Sequence, residues 1–115
     1  MLKVIRESDY YRVELFQVNR LNTLFTDLVR DQLKEMLEVP GTKVMFNLEG
    51  ILFIDSEGFR VLKEVNHFAK ELGSEFLMCN VTEDVKELII LLDLEGEFKF
   101  CKVENPKEKI LLVLD

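Results

Sequence analysis

The sequence predicts a single α/β domain over residues 1–115, with a mixed, mostly parallel sheet, an antiparallel hairpin at its edge and helices packed on the sheet. Two patterns support this prediction. Short apolar segments alternate with longer amphipathic segments along most of the chain, and only the first two strand-like segments follow each other directly. Because a helix between two strands forms a right-handed crossover, such alternation yields parallel strands. The expected order of elements is β-β-α-β-α-β-α-β-α.

The strand predictions depend on alternation and on short apolar runs. In the second strand, Tyr11, Val13 and Leu15 fall on one face and charged residues fall on the other. The third is almost continuously apolar, as expected of a strand buried in a parallel sheet. A turn at residues 7–9 makes the first two strands a hairpin. The expected strands cover residues 2–6, 11–16, 43–48, 75–79 and 97–103.

The helix predictions depend on apolar residues at helical spacing and on residues that start and stop helices. Asn19 or Asn22 can cap the first helix. Gly73 is placed to end the second helix in the left-handed conformation, and Thr82 can cap the third. The expected helices cover residues 19 or 22 to 38, residues 56–72, a segment after Thr82, and a short terminal helix from Pro106, although residues 110–114 also fit a strand.

Charge and hydropathy restrict the class of function. The formal net charge of −7 argues against nucleic acid or an anionic membrane surface as a partner, because phosphate groups require a basic face. A basic protein partner is compatible with this charge. The longest uninterrupted apolar run, at residues 88–92, is far shorter than the roughly 20 residues that span a bilayer. Charged residues interrupt the first apolar run, so we expect no signal peptide and a cytoplasmic protein.

The two cysteines, Cys79 and Cys101, lie alone in apolar, strand-like segments. We expect both to be reduced and packed in or beside the core, rather than joined in a disulfide or reactive. The sequence contains one histidine, so a zinc site of cysteines and histidines cannot be assembled. We expect no metal and no cofactor.

The segment that begins the second helix has the composition of a turn followed by a helix start. Asp55, Ser56 and Gly58 come directly after four apolar residues. A hydroxyl at a helix start lies near free backbone N–H groups and the positive end of the helix dipole, where an anion or a phosphorylated hydroxyl is favoured. The alternative is that Ser56 is an ordinary N-cap. The residues alone favour this alternative, because capping serines are common.

The residue types do not predict an enzyme. His67, the only histidine, follows Ser56 by eleven residues, which is roughly 16 Å along a helix and beyond hydrogen-bonding range. The sequence has no glycine-rich phosphate loop and no G-x-S-x-G nucleophile motif. Helical spacing instead places Ser56, Arg60, Lys63 and His67 together on the solvent side of the second helix.

Two neighbouring segments carry a resemblance to a known family: the strand Val44-Met45-Phe46-Asn47-Leu48 and the helix start Ile54-Asp55-Ser56-Glu57-Gly58-Phe59. Together they resemble the STAS domain, in the branch of bacterial anti-sigma factor antagonists. The pattern of that branch is an apolar strand with Asp or Asn near its end, followed by an apolar residue and Asp-Ser-x-Gly-Leu. The resemblance covers nearly the whole chain, including the leading hairpin and the order of the later elements.

The resemblance implies a switch that is not an enzyme. In this family the unmodified antagonist binds an anti-sigma factor, often a serine kinase, and so frees a sigma factor for transcription. The kinase phosphorylates the serine that matches Ser56, which ends binding, and a phosphatase restores it. We expect a monomer or a weak dimer. The alternatives are a STAS scaffold for another partner, in a stressosome or beside a transporter, and a module that binds a nucleotide or another small ligand at the helix start.

Seven residues form the predicted partner-binding set, and two of them depart from the family pattern. Glu57 replaces the small Ser or Thr that is usual between the serine and the glycine. Arg60 replaces a small residue, often Gly. Arg60 can pair with a phosphate on Ser56, but we favour pairing with Glu57 or Glu64 on the helix surface. The predicted set is Asp55, Ser56, Glu57, Gly58, Phe59, Arg60 and Lys63.

Two apolar features leave alternatives open. Phe59 stands at the leucine position of the family and flanks the buried stripe of its helix, so it either contacts the partner or packs against the preceding loop. Ile90 and Leu91 widen the apolar stripe of the third helix. They can form a patch for a partner or for a second copy of the chain, but we favour extra burial against neighbouring helices.

Overall fold

The computed structural model describes residues 2–102. The predicted terminal helix, the ambiguous residues 110–114 and the end of the last predicted strand at Val103 lie outside the described residues. No helix within residues 2–102 is long and apolar enough to cross a membrane. In this range the elements are β1 (Leu2–Arg6), β2 (Tyr11–Leu15), β3 (Arg20–Leu21), α1 (Thr26–Leu37), β4 (Lys43–Asn47), β5 (Phe53–Ile54), α2 (Ser56–Glu71), β6 (Glu75–Cys79), α3 (Glu83–Leu91), a 3₁₀ turn (Glu95–Glu97) and β7 (Lys99–Cys101).

The main sheet of the described residues has five strands in the order β1-β2-β4-β6-β7. β1 and β2 are antiparallel, with Val4 opposite Val13, whereas the remaining pairs are parallel. Each parallel pair is joined through a helix, as a parallel connection requires. The prediction of an α/β fold with a mostly parallel sheet and an N-terminal edge hairpin is therefore confirmed.

The helices α1, α2 and α3 cover one face of this sheet and bury a continuous apolar core. The strand register places Val13, Phe46 and Met78 in one row across β2, β4 and β6, and all three side chains are fully buried. Val29 from α1 and Leu62 from α2 belong to the same cluster. The apolar side of α2 is thereby fixed against the central strands, and its other side faces solvent.

The first helix begins later than predicted, at Thr26 rather than near Asn19 or Asn22. Phe25 occupies its N-cap position and provides no side-chain cap. The Asn22 side chain instead accepts a hydrogen bond from the backbone N–H of Leu24 at 3.0 Å, an Asx turn that keeps these residues out of the helix. Leu24, whose spacing fits the apolar stripe of the predicted helix, is consequently 90% exposed.

Two short strands that were absent from the predicted order account for this late start. β3 and β5 pair in parallel, with Leu21 opposite Ile54, and both side chains are buried. The backbone N–H of Asp55 donates to the carbonyl oxygen of Leu21 at 3.1 Å and extends this pairing by one residue. The segment before α1 therefore lies alongside the segment before α2, an arrangement that helical spacing does not indicate.

The prediction of two reduced cysteines is wrong. Cys79 and Cys101 are register partners on the adjacent strands β6 and β7 and form a disulfide, with their Cα atoms 4.5 Å apart. Cys79 is fully buried, so the prediction of a position in the core is confirmed for this residue. The two residues are 22 positions apart in the chain, and the sequence alone does not reveal that their strands are neighbours.

Helix α3 buries less of its surface than predicted. Val85 and Ile89 face the core, but Ile90 is 60% exposed and Leu91 is 79% exposed. The prediction that these two residues are buried against neighbouring helices is therefore wrong, because α3 packs through only one of its sides. Their role in binding a partner or a second copy stays a prediction.

Candidate functional site

Asp55 caps the helix that begins at Ser56. Its backbone is extended, and its Oδ1 accepts a hydrogen bond from the backbone N–H of Gly58 at 2.7 Å. Ser56 is the first residue of α2, and its side chain is exposed. The Ser56 hydroxyl has no hydrogen-bond partner within residues 2–102. The alternative in which Ser56 is an ordinary N-cap is therefore wrong, and its hydroxyl lies on the surface.

Asp55 also ties α2 to the loop that precedes α1. Its Oδ2 accepts hydrogen bonds from both the backbone N–H and the hydroxyl of Thr23, each at 3.1 Å. Hydrogen bonds to a charged carboxylate are stronger than those between neutral groups. One side chain of the predicted set thus holds the Thr23 loop next to Ser56. No local pattern indicates a role for Thr23, because it lies 32 residues from Asp55 in the chain.

Gly58 is required by the space around it. A Cβ atom at this position would lie 2.8 Å from Cγ2 of Ile54 and 3.2 Å from the carbonyl oxygen of Leu21. Both atoms belong to the paired strands β5 and β3, which have little freedom to move. Gly58 is itself buried. Its expected contact with a partner is corrected to a packing role, in which it lets the first turn of α2 approach the short sheet.

Phe59 lies in the core and not on the surface. Its side chain is 2% exposed and belongs to the main apolar cluster. The alternative in which Phe59 packs within the fold is therefore confirmed. The alternative in which it contacts a partner is wrong, because almost none of the ring is exposed. Helical spacing located this residue at the flank of the buried stripe but does not show how far neighbouring elements wrap around the helix.

Arg60 pairs with glutamates of its own helix, as we favoured from the sequence. Its Nε donates to Oε2 of Glu57 at 2.9 Å, and one terminal nitrogen contacts Oε1 of the same carboxylate. The other terminal nitrogen lies 3.5 Å from Oε1 of Glu64. The hydrogen bond from Arg60 lowers the pKa of Glu57, and the same contact raises the pKa of Arg60. A fully charged cluster therefore begins one residue after Ser56.

Glu64 connects this cluster to α1. Its Oε2 lies 2.5 Å from Nζ of Lys34 and 3.7 Å from Nε of Arg30. The hydrogen bond with Lys34 is the main effect that lowers the pKa of Glu64. Arg30 also contacts Asp27 at 3.3 Å and Asp31 at 3.1 Å. Charges of alternating sign therefore run across the solvent side of both helices beside Ser56.

The last residue of the predicted set stands apart from this cluster. Lys63 is half-buried and forms no ion pair with any residue from 2 to 102. His67 is exposed one turn further along α2, where helical spacing placed it. The structure thus brings Glu57 and Arg60 together beside Ser56, and it leaves Lys63 as a separate positive charge.

Exposed apolar side chains lie in the segments next to Ser56. Leu24 directly follows Thr23 and is 90% exposed, and Leu52 and Phe53 are 50% and 46% exposed. The pairing of β3 with β5 and the contacts of Asp55 with Thr23 hold both segments beside the start of α2. Sequence reasoning missed Leu24 as a surface residue, because its spacing also fits the buried stripe of the first helix.

Comparisons with known proteins agree with this fold. The sequence profile of the STAS domain matches residues 2–106. An anti-sigma-factor antagonist (STAS) domain protein from Planctomyces limnophilus has a TM-score of 0.74 at 18% identity, covering 99% of this chain and 98% of that chain. A candidate anti-sigma factor antagonist from Thermotoga maritima has a TM-score of 0.72 at 21% identity, covering 99% and 95%.

The anti-sigma factor antagonist SpoIIAA is also similar. Its unphosphorylated form has a TM-score of 0.68 at 12% identity, covering 99% of this chain and 98% of that chain. The phosphorylated form of SpoIIAA from Bacillus has a TM-score of 0.64 at 13% identity, covering 98% and 99%. At identities this low, the structural similarity establishes a shared fold. Because the STAS profile spans nearly the whole sequence and the fold agrees with it, this chain belongs to the STAS domain family.

Proposed function

We propose that this protein is an anti-sigma factor antagonist that is switched at Ser56. In its unmodified form it binds an anti-sigma factor of the serine kinase type and so releases a sigma factor. Phosphorylation of Ser56 by that kinase ends binding, and a phosphatase restores the binding form. The protein acts through contact with a partner and not through catalysis.

The observation that carries this proposal is the exposed Ser56 hydroxyl, which makes no hydrogen bond within the described residues. Asp55 provides the cap of α2, so a modification of Ser56 removes no hydrogen bond on which the helix depends. A kinase can reach an exposed hydroxyl without unfolding the chain. Modification here therefore changes the surface while the fold is kept.

The surroundings of Ser56 support a protein as the binding partner. Leu24 and Phe53 expose apolar area beside charged residues, and apolar contacts surrounded by polar groups are typical of protein interfaces. The corrected contact set excludes Gly58 and Phe59, which are buried, and Asp55, whose carboxylate is used within the fold. It consists of Leu24, Phe53, Ser56, Glu57, Arg60 and Lys63.

A phosphate on Ser56 is sufficient to end such contact. It adds about −1.5 to −2 charges at one point of the surface. A close-packed interface has to desolvate this charge, at a cost of several kcal/mol when the charge is unpaired. Because each ~1.4 kcal/mol is a tenfold change in affinity, binding is lost without any refolding. SpoIIAA, solved in unphosphorylated and phosphorylated forms, supports two such states on this fold.

The alternative of a nucleotide or another small anion at this helix start has less support. The Asp55 carboxylate already accepts the Gly58 N–H that an anion would need. Glu57 adds a second carboxylate on the other side of Ser56 in the sequence. A free anion bound here would therefore lie beside two carboxylates, of which only Glu57 is paired with an arginine. A STAS scaffold in a stressosome or beside a transporter would use the same surface and differ in the identity of its partner.

The proposal is tested by affinity capture from the source cell, with mass spectrometry to identify captured proteins that contain a serine kinase domain. We expect the wild-type protein to capture a sigma-regulating kinase, and Ser56→Asp to lose it by tenfold or more. Ser56→Ala should keep binding but accept no phosphate when the purified kinase and ATP are added.

The matched control is Ser8→Asp, which adds the same charge at another exposed serine, in the hairpin turn between β1 and β2. It should bind as the wild type does. Equal capture of the kinase by Ser56→Asp and by the wild type would contradict the switch. Capture of a transporter or of stressosome proteins without a sigma-regulating kinase would favour the scaffold alternative.

A further inference from the structure

Ser56 lies between two carboxylates in the sequence, Asp55 and Glu57. The Asp55 carboxylate is fixed by Gly58 and Thr23 and cannot turn away. A phosphate on Ser56 therefore adds negative charge at a place that already carries negative charge. Like charges close together disfavour each other, so a nearby cation would stabilise a phosphate at this site.

Arg60 is the cation best placed to supply this charge. It lies four residues after Ser56, and side chains four apart are neighbours on a helix surface. Its guanidinium already reaches back over the first turn of α2, where it holds Glu57, the residue next to Ser56. A small movement of the exposed Arg60 side chain is therefore enough to transfer the guanidinium to a phosphate on Ser56.

The other cations of this surface are less well placed. Lys63, which forms no ion pair within residues 2–102, follows Ser56 by seven residues, roughly 10 Å along the helix. Arg30 contacts Asp27 and Asp31, and Lys34 contacts Glu64. If Arg60 left Glu64, Lys34 and Arg30 would remain within 4 Å of that carboxylate, at 2.5 and 3.7 Å. The link between α1 and α2 therefore does not depend on Arg60.

We propose that a phosphate on Ser56 takes the Arg60 guanidinium from Glu57 and Glu64, so that Arg60 is the built-in counter-ion of the phosphorylated state. This inference rests on the proposed phosphorylation of Ser56 and adds the means by which the chain holds the modified form. A phosphate oxygen pair accepts the arginine fork in the same bidentate manner as a carboxylate. The phosphate carries about −1.5 to −2 charges against −1 for Glu57, so the exchange is favoured.

The exchange also changes the surface that a partner meets. In the unmodified protein the charges of Glu57 and Arg60 cancel locally. After the exchange, Arg60 neutralises part of the phosphate, and the Glu57 carboxylate is released beside it. The phosphorylated helix start therefore presents two negative groups in place of an ion pair, while α2 and its packing are unchanged.

The test uses the full chain with phosphoserine placed at position 56 during translation, so that neither the kinase nor the anti-sigma factor is needed. Phosphorus NMR then follows the second ionisation of the phosphate with pH. A nearby arginine favours the dianion, so its removal in Arg60→Gln should raise the second pKa of the phosphate by about half a unit or more. An equal pKa in the two proteins would overturn the proposal.

Lys70→Gln is the matched control, because it removes one positive charge from an exposed position of the same helix, roughly 21 Å from Ser56. At this distance salt screens the interaction, and the phosphate pKa should stay as in the phosphorylated wild type. A rise as large as that in Arg60→Gln would overturn the proposal, since it would reflect net charge and not a local contact.

A second comparison tests the competition between Glu57 and the phosphate. Glu57→Gln should lower the phosphate pKa more in the wild-type background than in Arg60→Gln, because it frees Arg60 only where Arg60 is present. Equal effects in both backgrounds would overturn the exchange. Failure of these tests leaves binding of an anti-sigma factor untouched, and failure of kinase capture leaves the phosphate measurement valid, so the two proposals are distinguishable.

Discussion

Helices α2 and α3 begin in similar ways but use their hydroxyl residues differently. At the start of α3, the Thr82 hydroxyl accepts a hydrogen bond from the N–H of Val85 at 3.3 Å and donates one to the carbonyl oxygen of Ile51 at 2.6 Å. At the start of α2, Asp55 provides the cap, and Ser56 stands one position later with its hydroxyl exposed. The Thr82 hydroxyl is therefore hydrogen-bonded within the fold, whereas the Ser56 hydroxyl is exposed on its surface.

A shift of one residue thus decides whether a hydroxyl at a helix start is bonded within the fold or exposed on the surface. Both helix starts carry a residue type that caps well. In α2, Asp55 provides the cap and also holds Thr23, so the helix start does not depend on a hydrogen bond from the Ser56 hydroxyl. Substitutions at both helix starts test this difference.

The largest effect is expected from the disulfide that encloses α3 between β6 and β7. Cys101→Ser opens a loop of 22 residues, and closing a loop of this size contributes about 3 kcal/mol to the free energy of unfolding. Urea denaturation of wild-type and variant protein measures the loss. Amide hydrogen exchange should become faster in α3, which lies inside the loop that the disulfide closes, more than in α2. An equal increase in both helices would contradict this local effect.

Asp55→Ala should have the next largest effect. It removes the cap of α2, worth about 1 kcal/mol, and two hydrogen bonds from the exposed Thr23, which contribute about 0.5–1 kcal/mol each. We expect a total loss of about 2–3 kcal/mol by urea denaturation. Asp55→Asn keeps one oxygen acceptor and should lose less. An Asp55→Ala protein as stable as the wild type would show that the hydrogen bonds of Asp55 do not stabilise the start of α2.

Thr82→Ala should cost about 1 kcal/mol, as is typical for the loss of a capping side chain. Thermal unfolding by circular dichroism checks this value. Thr82→Ser keeps the hydroxyl and serves as the control, with a stability close to that of the wild type. If Thr82→Ala were neutral, the hydroxyl of α3 would be as dispensable as we expect that of α2 to be.

The smallest effect is expected at Ser56. Both Ser56→Ala and Ser56→Asp should change the free energy of unfolding by no more than about 0.5 kcal/mol, the usual range for surface substitutions. The reason is that the described structure gives the Ser56 hydroxyl no hydrogen bond to lose. A loss above 1 kcal/mol for Ser56→Ala, measured beside Thr82→Ala, would show that the serine supports the fold.

The parts of this fold that depend on local pattern were predictable from the sequence. The start of α2 at Ser56, the cap at Thr82 and the left-handed Gly73, with a φ of 72°, follow from the residue types at those positions. The edge hairpin follows from two strand patterns with no helix between them. In each case the residues that decide the structure are close together in the chain.

The parts that depend on distant contacts were not predictable. The β3–β5 pair joins segments more than 30 residues apart, and it moves the start of α1 and exposes Leu24. The disulfide needs β6 and β7 to be neighbours. At the site, helical spacing found the charged side of α2, but the burial of Phe59 and the second role of Asp55 depend on elements that pack around the helix.

The double contact between Asp55 and Thr23 has a consequence for the thermodynamics of binding. A loop that is free in solution loses conformational entropy when a partner orders it, and this loss weakens affinity. Here the backbone and the side chain of Thr23 are already fixed, so Leu24 is held in place before any partner arrives. In the proposed complex, little order would therefore have to be created in this loop, and burial of Leu24 by a partner would be opposed by a smaller loss of conformational entropy.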